Sequence, residues 1–161
     1  MINTTLCHIE KDGMYLMLHR IKKNNDLNKD KWVGIGGKFE ENESPERCNA
    51  REVLEETGLI LKDAKYRGIV TFISDIWENE IMHIFTAREF YGNIKECDEG
   101  ELAWVKKCDI YNLPIWEGDK IFLKLIEDEN YPFFSLKLEY KGDALISAEL
   151  DGKSFDFKEL L

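Results

Sequence analysis

The chain lacks any apolar run near the roughly 20 residues that a helical membrane span needs, so it is expected to stay out of membranes. Its N-terminus, Met1-Ile-Asn-Thr-Thr5, lacks the basic segment and apolar stretch of a secretory leader. Cysteine is sparse: Cys7, Cys48, Cys97 and Cys108 form no C-x-x-C pair and have no histidine at ligand spacing. That argues against a zinc ribbon, and a disulfide framework is not required in a chain this long. These absences give the expectation of reduced thiols in a cytoplasmic protein, most of them filling the core. No internal repeat, low-complexity stretch or linker divides the sequence, so residues 1–161 are expected to form one domain.

Basic charge is also scarce, with 22 Lys and Arg against 32 Asp and Glu, a formal net charge of −10. Stable binding to nucleic acid or to a membrane surface wants a basic face and is not expected. The same charge would repel a phosphate substrate. A divalent cation held by clustered carboxylates would invert the local sign. Most of the acids need no such role and simply keep the protein in solution. With 43% hydrophobic and 34% charged residues the composition is that of an ordinary globular protein.

Along the chain, strand-like runs Thr4–Glu10 and Met14–Arg20 flank Lys11-Asp12-Gly13, a hairpin signal. A polar loop, 22–31, leads to the glycine-dense Trp32-Val-Gly-Ile-Gly-Gly37. A helix is predicted over 45–57, with Ser44 as N-cap, Pro45 in its first turn and Gly58 at its stop. Strands are predicted at 65–73 and 81–90, with a short one at 100–106. A second helix is predicted at 117–128, with Ile121, Phe122 and Leu125 on one side. Runs 133–140 and 144–150 form another hairpin across Lys141-Gly-Asp143, leaving a tail of about 151–161 without an assigned role. The pattern is mixed α/β, with helices covering a curved sheet.

The chemistry concentrates in the first helix. Glu52, Glu55 and Glu56 fall at i, i+3 and i+4, on one face at about 100° per residue. Ala50, Val53, Leu54 and Thr57 are assigned to the opposite, sheet-packing face. Like charges at this spacing repel, and the helix C-terminus disfavours anions. Arg47 and Arg51 offset part of this, and a hard cation taking oxygen ligands offsets it better. Taken alone, E-x-x-E-E reads as a solvated acidic face. The preceding glycines change that reading, because their backbone can approach a metal closely and offer a carbonyl. Glu43, at the start of the helix, can pair with Arg51 if the chain folds back.

Residues 37–59 fill every fixed position of G-x5-E-x7-R-E-U-x-E-E-x-G-U, U being aliphatic: Gly37, Glu43, Arg51, Glu52, Val53, Glu55, Glu56, Gly58 and Leu59. The segment resembles the Nudix signature. The resemblance implies an α/β/α sandwich around a mixed curved sheet, with the signature as loop–helix–loop. It implies Mg²⁺, or Mn²⁺, bound by Glu52, Glu55 and Glu56, with the Gly36 carbonyl as a further ligand. It also implies hydrolysis of a nucleoside diphosphate linked to another group, water attacking phosphorus while the cation neutralises its oxygens. Glu43 and Arg51 then brace the loop, and either Glu52 or Glu56 serves as base. A glutamate outside the signature often completes the metal shell. Glu99 suits that place, with Glu101 as rival and a plain surface acid as the alternative.

Likeness extends over about residues 1–150. Trp32-Val-Gly-Ile-Gly-Gly-Lys38 and Ile115-Trp-Glu-Gly-Asp119 resemble segments of MutT/MutX-type 8-oxo-dGTP diphosphatases, which sanitise the nucleotide pool and release a monophosphate and pyrophosphate. Guanine presents N1–H and N2–H₂ donors, so Asp119 is the natural reader of its edge, and the Trp116 indole suits stacking. Arg20, Lys23 and Lys38 are candidates for the triphosphate. Phe72 and Met82 either line the base pocket or pack the core. Each of these has a plain alternative: a core aromatic, a helix N-terminal acid, solvated cations. Val33 and Gly118 depart from mammalian members, which carry an amide and a second acid there. That points to a different readout of the base or to broader selectivity. Competing functions are a general nucleoside triphosphate pyrophosphatase, a dinucleoside polyphosphate hydrolase, a 5′-end RNA pyrophosphohydrolase and a non-catalytic nucleotide sensor. Monomer and homodimer both remain open.

Overall fold

A computed structural model describes residues 1–161. The chain opens with strands β1 (Ile2–Lys11), β2 (Met14–His19) and β3 (Trp32–Val33), then helix α1 (Pro45–Thr57). Strands β4 (Ile60–Leu61), β5 (Lys65–Ser74), β6 (Glu80–Ala87), β7 (Phe90–Tyr91) and β8 (Glu101–Lys106) follow. Helices α2 (Lys107–Ile110) and α3 (Asp119–Glu127) precede β9 (Phe134–Lys141), β10 (Ala144–Leu150), β11 (Lys153–Ser154) and a 3₁₀ turn at Lys158–Leu160.

The first hairpin forms where expected, because Asp12 and Gly13 both take positive φ, 53° and 75°, as a two-residue turn of this hand demands. Beyond it the two strands separate. β1 and β2 pair only at Glu10–Tyr15 and Lys11–Met14. β1 then runs parallel to β6 from Ile2 to Ile9, while β2 pairs with β8 and β3. The strand order is β11-β10-β9-β5-β6-β1-β2-β3, with β8 also on β2. Parallel pairs β1·β6 and β5·β9 sit among antiparallel ones, so the sheet is mixed.

Two apolar clusters lie on opposite faces of this sheet. One joins Val70, Phe72, Ile84, Leu136 and Leu138 to Ile121, Phe122, Leu123 and Ile126 of α3. The other joins Cys7, Ile9, Leu16, Leu18 and Phe85 to Val53 of α1. Helices therefore cover both faces, the α/β/α arrangement expected. No helix is long and apolar enough to cross a membrane.

α1 begins and ends as its sequence predicts. Ser44 Oγ accepts from Arg47 N at 3.1 Å, and Gly58 takes φ 81° and donates to the Leu54 carbonyl. Three other expectations shift. The second helix starts at Asp119, not Glu117, because Trp116–Gly118 form tight i→i+3 turns. Its buried stripe is Ile121, Phe122, Leu123 and Ile126, with Leu125 at its margin. The run 81–90 is broken at Arg88–Glu89, whose amides Asp63 caps, and Phe90–Tyr91 pair with β4 instead.

The tail is structured. Asp151 and Gly152 take φ 51° and 82°, turning β10 back into β11. Phe157 is then buried to 7% exposure in the α3 cluster, and Lys124 Nζ donates to the Leu160 carbonyl at 2.5 Å. Phe157→Ala is expected to lower unfolding free energy by about 3 kcal/mol, the usual cost of emptying an aromatic site, as read by urea denaturation. An unchanged midpoint would show that the tail merely rests on the surface.

Candidate active site

The divergence of β1 and β2 leaves one edge of β1 free, and the glycine-rich segment occupies it. Thr5 N donates to Gly37 O at 2.9 Å, Cys7 N to Ile35 O at 2.6 Å, Ile35 N to Cys7 O at 2.9 Å and Phe39 N to Asn3 O at 3.0 Å. The approach is close enough that a Cβ on Gly36 would lie 1.7 Å from the Thr5 oxygen. Ile35 and Gly37 thus face β1, and Gly36 turns outward. Its N–H donates to Glu56 Oε2 at 3.2 Å.

That bond depends on how α1 is rolled on the sheet. Its buried residues are Cys48, Asn49, Val53, Glu56 and Thr57. Ala50 and Leu54, assigned to the buried face from sequence, are exposed. At about 100° per residue, Glu56 falls in the middle of the buried arc, between Cys48 and Val53. The three glutamates are therefore graded and not presented together. Glu56 is 7% exposed, and the side chains of Glu52 and Glu55 are 14% and 56% exposed. A Cβ on Gly37 would lie 2.5 Å from the Glu52 carboxyl carbon, so the backbone there is pressed against that acid.

Arg51 anchors this group. Its Nε donates to Glu43 Oε2 at 2.7 Å and its Nη2 to Glu43 Oε1 at 2.8 Å. Its Nη1 reaches Glu52 at 2.8 Å and Glu55 at 3.1 Å, and Nη2 also bonds the Lys38 carbonyl at 3.0 Å. The chain does fold back to pair Glu43 with Arg51. This contact holds the Glu43 carboxyl down at about 2. Arg51 also ties α1 to the loop that carries Gly36 and Gly37.

Glu99 arrives from the far side. Arg20 Nη1 donates to it at 2.8 Å and Lys23 Nζ at 3.0 Å, while Arg20 Nε holds Asp26 at 2.7 Å. Glu99 lies close enough to Glu56 for each carboxyl to act on the other's charge. Burial and this neighbour push the Glu56 pKa well above the usual carboxylate range. Burial works against the charge of Glu99 too, but neighbouring Glu56 together with Arg20 and Lys23 outweighs it and draws its pKa down. Burial likewise raises Glu52, opposed by Arg51. Glu101, the rival to Glu99, is exposed on β8. As the side chains stand, no three of them close on one point as a cage. The donors are hard oxygens crowded against backbone and against each other, a set suited to a divalent cation.

A cleft of about 850 Å³ extends from these acids. Its lining includes Gly36, Glu52, Glu55, Glu99, Arg51 and the three expected cations Arg20, Lys23 and Lys38. Glu56 lies just behind the wall. The lining continues to Phe72, Met82, Trp116 and Asp119, so both ends of the expected site share one cavity. Arg20 and Lys23, expected to meet phosphate, are spent on Glu99. Burial raises the Glu80 pKa, and Lys38 is close enough to oppose part of that rise.

Trp116 is both wall and core. Its ring meets Phe72 and Tyr140 edge-on at 5.6 and 5.0 Å. Its Nε1 donates to Asn28 Oδ1 at 2.7 Å, and the Lys31 ammonium lies 4.4 Å from its ring centre. Asp119 is 8% exposed. Burial pushes its carboxyl up to about 8, with Glu80 adding to the rise and Lys31 opposing it. Sequence reasoning missed Glu80, Tyr140 and Asn28 as lining residues. Strand alternation from Met82 would have found Glu80, whereas Asn28 carries no signal before the loop folds over Trp116.

A family model described as the NUDIX domain matches residues 3–126. An uncharacterized Nudix hydrolase, YvcI of Bacillus subtilis, is 34% identical over 120 residues, 71% of this chain and 72% of its own length. An oxidized purine nucleoside triphosphate hydrolase of Danio rerio is 34% identical over 127 residues, 75% of this chain and 78% of its own. The crystal structure of the MutT protein of Bacillus halodurans superposes with TM-score 0.82 at 29% identity, covering 95% of this chain and 99% of that one. With a family model matching most of the chain and relatives alike in sequence and in fold, the chain belongs to the Nudix hydrolase family.

Proposed function

We propose that this enzyme hydrolyses a nucleoside triphosphate to the monophosphate and pyrophosphate in the presence of Mg²⁺, with an oxidised purine nucleotide such as 8-oxo-dGTP as substrate. The observation that carries this reading is the single cleft joining the glutamates of α1 to an apolar wall with a buried carboxyl. The Danio rerio relative, whose name states oxidized purine nucleoside triphosphates, supports the substrate class.

Glu52, Glu55, Glu56, Glu99 and the Gly36 carbonyl would hold the cation. When bound, it supplies charge neutralisation at the phosphate oxygens and lowers the pKa of water. Glu52 fronts the cleft with one oxygen on Arg51. Its other oxygen is the better placed to take a proton from water, since Glu56 lies behind the wall. Burial holds Glu56 towards its neutral form, and a cation bound beside it would favour the charged form. Lys38 is the cation least committed to other acids and faces the phosphates. Phe72, Met82 and Trp116 exclude water around the base. The Asp119 carboxyl, free of protein hydrogen bonds, meets the N1–H and N2–H₂ edge of guanine.

A broader pyrophosphatase is the second reading. It is favoured by Val33, a buried apolar residue in the cleft that offers no amide to a base. Comparing kcat/KM for 8-oxo-dGTP, dGTP and other nucleoside triphosphates with Mg²⁺ decides between them. A strong preference for 8-oxo-dGTP is expected, and equal values would establish general hydrolysis.

Glu56→Gln is expected to cut pyrophosphate release about 10²–10³-fold, as loss of preorganised charge does, with its melting temperature held or raised. Normal turnover in that variant would displace the metal site from α1. Asp119 makes a separate prediction about stability. Its carboxyl titrates at about 8 folded against 3.8 ordinarily. From about pH 4 to 8 the folded state therefore binds more protons than the unfolded, and stability falls as pH rises. Asp119→Asn should melt several degrees above wild type at pH 8.5, with the gap closing towards pH 4. A gap independent of pH would show that Asp119 is ionised in the folded cleft.

A further inference from the structure

Among the carboxyls that line the cleft away from the carboxylate helix is Glu80, which neither the signature nor the Asp119 reading uses. Glu80 opens β6 and shares a sheet face with Met82, since alternate residues of a strand point the same way. Its register partners are Ile2 on β1 and Phe72 on β5. Ile2, Phe72, Met82, Asp119 and Glu80 all line the cleft. One Glu80 oxygen, Oε2, accepts from Thr4 Oγ1 at 2.7 Å. That bond fixes the carboxyl and leaves Oε1 without a protein partner.

A carboxylate set between an isoleucine and a phenylalanine, without an ion pair, is a cost to the fold. Burial raises its pKa, and its charge in turn acts on Asp119. Two carboxyls thus border one apolar volume, and both present oxygen to whatever fills it. A flat ligand that meets the two with different edges must carry hydrogens on both edges. Guanine carries donors on its Watson–Crick edge but a lone pair at N7. Oxidation at C8 places a hydrogen on N7, turning that edge from acceptor to donor.

We propose that Glu80 is the residue that separates oxidised from normal purines, its free oxygen accepting the N7 hydrogen of an 8-oxo-purine and repelling the N7 lone pair of the unmodified base. This rests on the cleft being the nucleotide site, with Asp119 on the opposite edge. Thr4 is its positioning residue.

The test uses the product monophosphates 8-oxo-dGMP and dGMP, which need no cation at the carboxylate helix, titrated calorimetrically into wild type, Glu80→Gln and Glu80→Ala. Wild type should bind 8-oxo-dGMP the more tightly. Either substitution should reduce the affinity ratio about 10-fold or more, as sites that read a single hydrogen do. Glu80→Gln should hold or improve dGMP binding, because an amide can donate to N7. With 8-oxo-dGTP as substrate, KM should rise while kcat changes little. Wild-type discrimination retained in both variants overturns the role of Glu80 and leaves the oxidised-substrate reading standing. A wild type that binds the two monophosphates alike overturns both. The near-isosteric Gln variant keeps an acceptor for Thr4, so its melting temperature should match wild type.

Discussion

The pairing of Ile35–Phe39 with the free edge of β1 is the contact on which the site depends. It exists because β1 and β2 part after two residue pairs, each leaving for a different neighbour. Only glycine fits at position 36, so close is the Thr5 carbonyl. Once the segment is seated, Gly36 must point its polar groups away from β1, and α1 packs with Glu56 against that N–H. Backbone hydrogen bonds of a sheet edge thereby set where an acid on a helix will sit.

Charge is managed in two separate hubs. Arg51 gathers Glu43, Glu52 and Glu55. Arg20 and Lys23 gather Glu99, with Asp26 bracing Arg20. Between the hubs Glu56 and Glu99 stand close, and burial works against the charge of both. A chain of net charge −10 can hold such a cluster because each outer acid has a guanidinium or ammonium within hydrogen-bond reach. The strain is confined to the pair with the least water, where a cation would relieve the most repulsion.

The other half of the cleft follows a different rule. Its wall is the sheet face that also packs against α3, so Phe72, Trp116, Leu138 and Tyr140 belong at once to the core and to the pocket. Phe72 and Met82 were open between core and pocket in the sequence, and both descriptions hold of Phe72. The carboxyls of Asp119 and Glu80 are the exceptions in this apolar surround. The tail extends the same cluster through Phe157, which links the far edge of the sheet to the helix that begins with Asp119.

Local chemistry alone determined much of this protein. Ser44, Pro45 and Gly58 bound α1 through capping geometry that needs no partner, Asp12-Gly13 closes the first hairpin through its positive φ angles, and the spacing of Gly37, Glu43, Arg51, Glu52, Glu55 and Glu56 identified the family. Three features lay beyond it. The roll of α1 was decided by the sheet, whose surface receives Cys48, Asn49, Val53 and Thr57 and so carries Glu56 inward and Leu54 out. The engagement of Arg20 and Lys23 with Glu99 joins residues some 76 to 79 positions apart, which no periodicity encodes. That Glu80 and Asp119 line one cleft depends on a strand and a helix from distant parts of the chain packing side by side. Periodicity fixes the direction of a side chain relative to its own element, and only packing fixes the direction of that element relative to the rest.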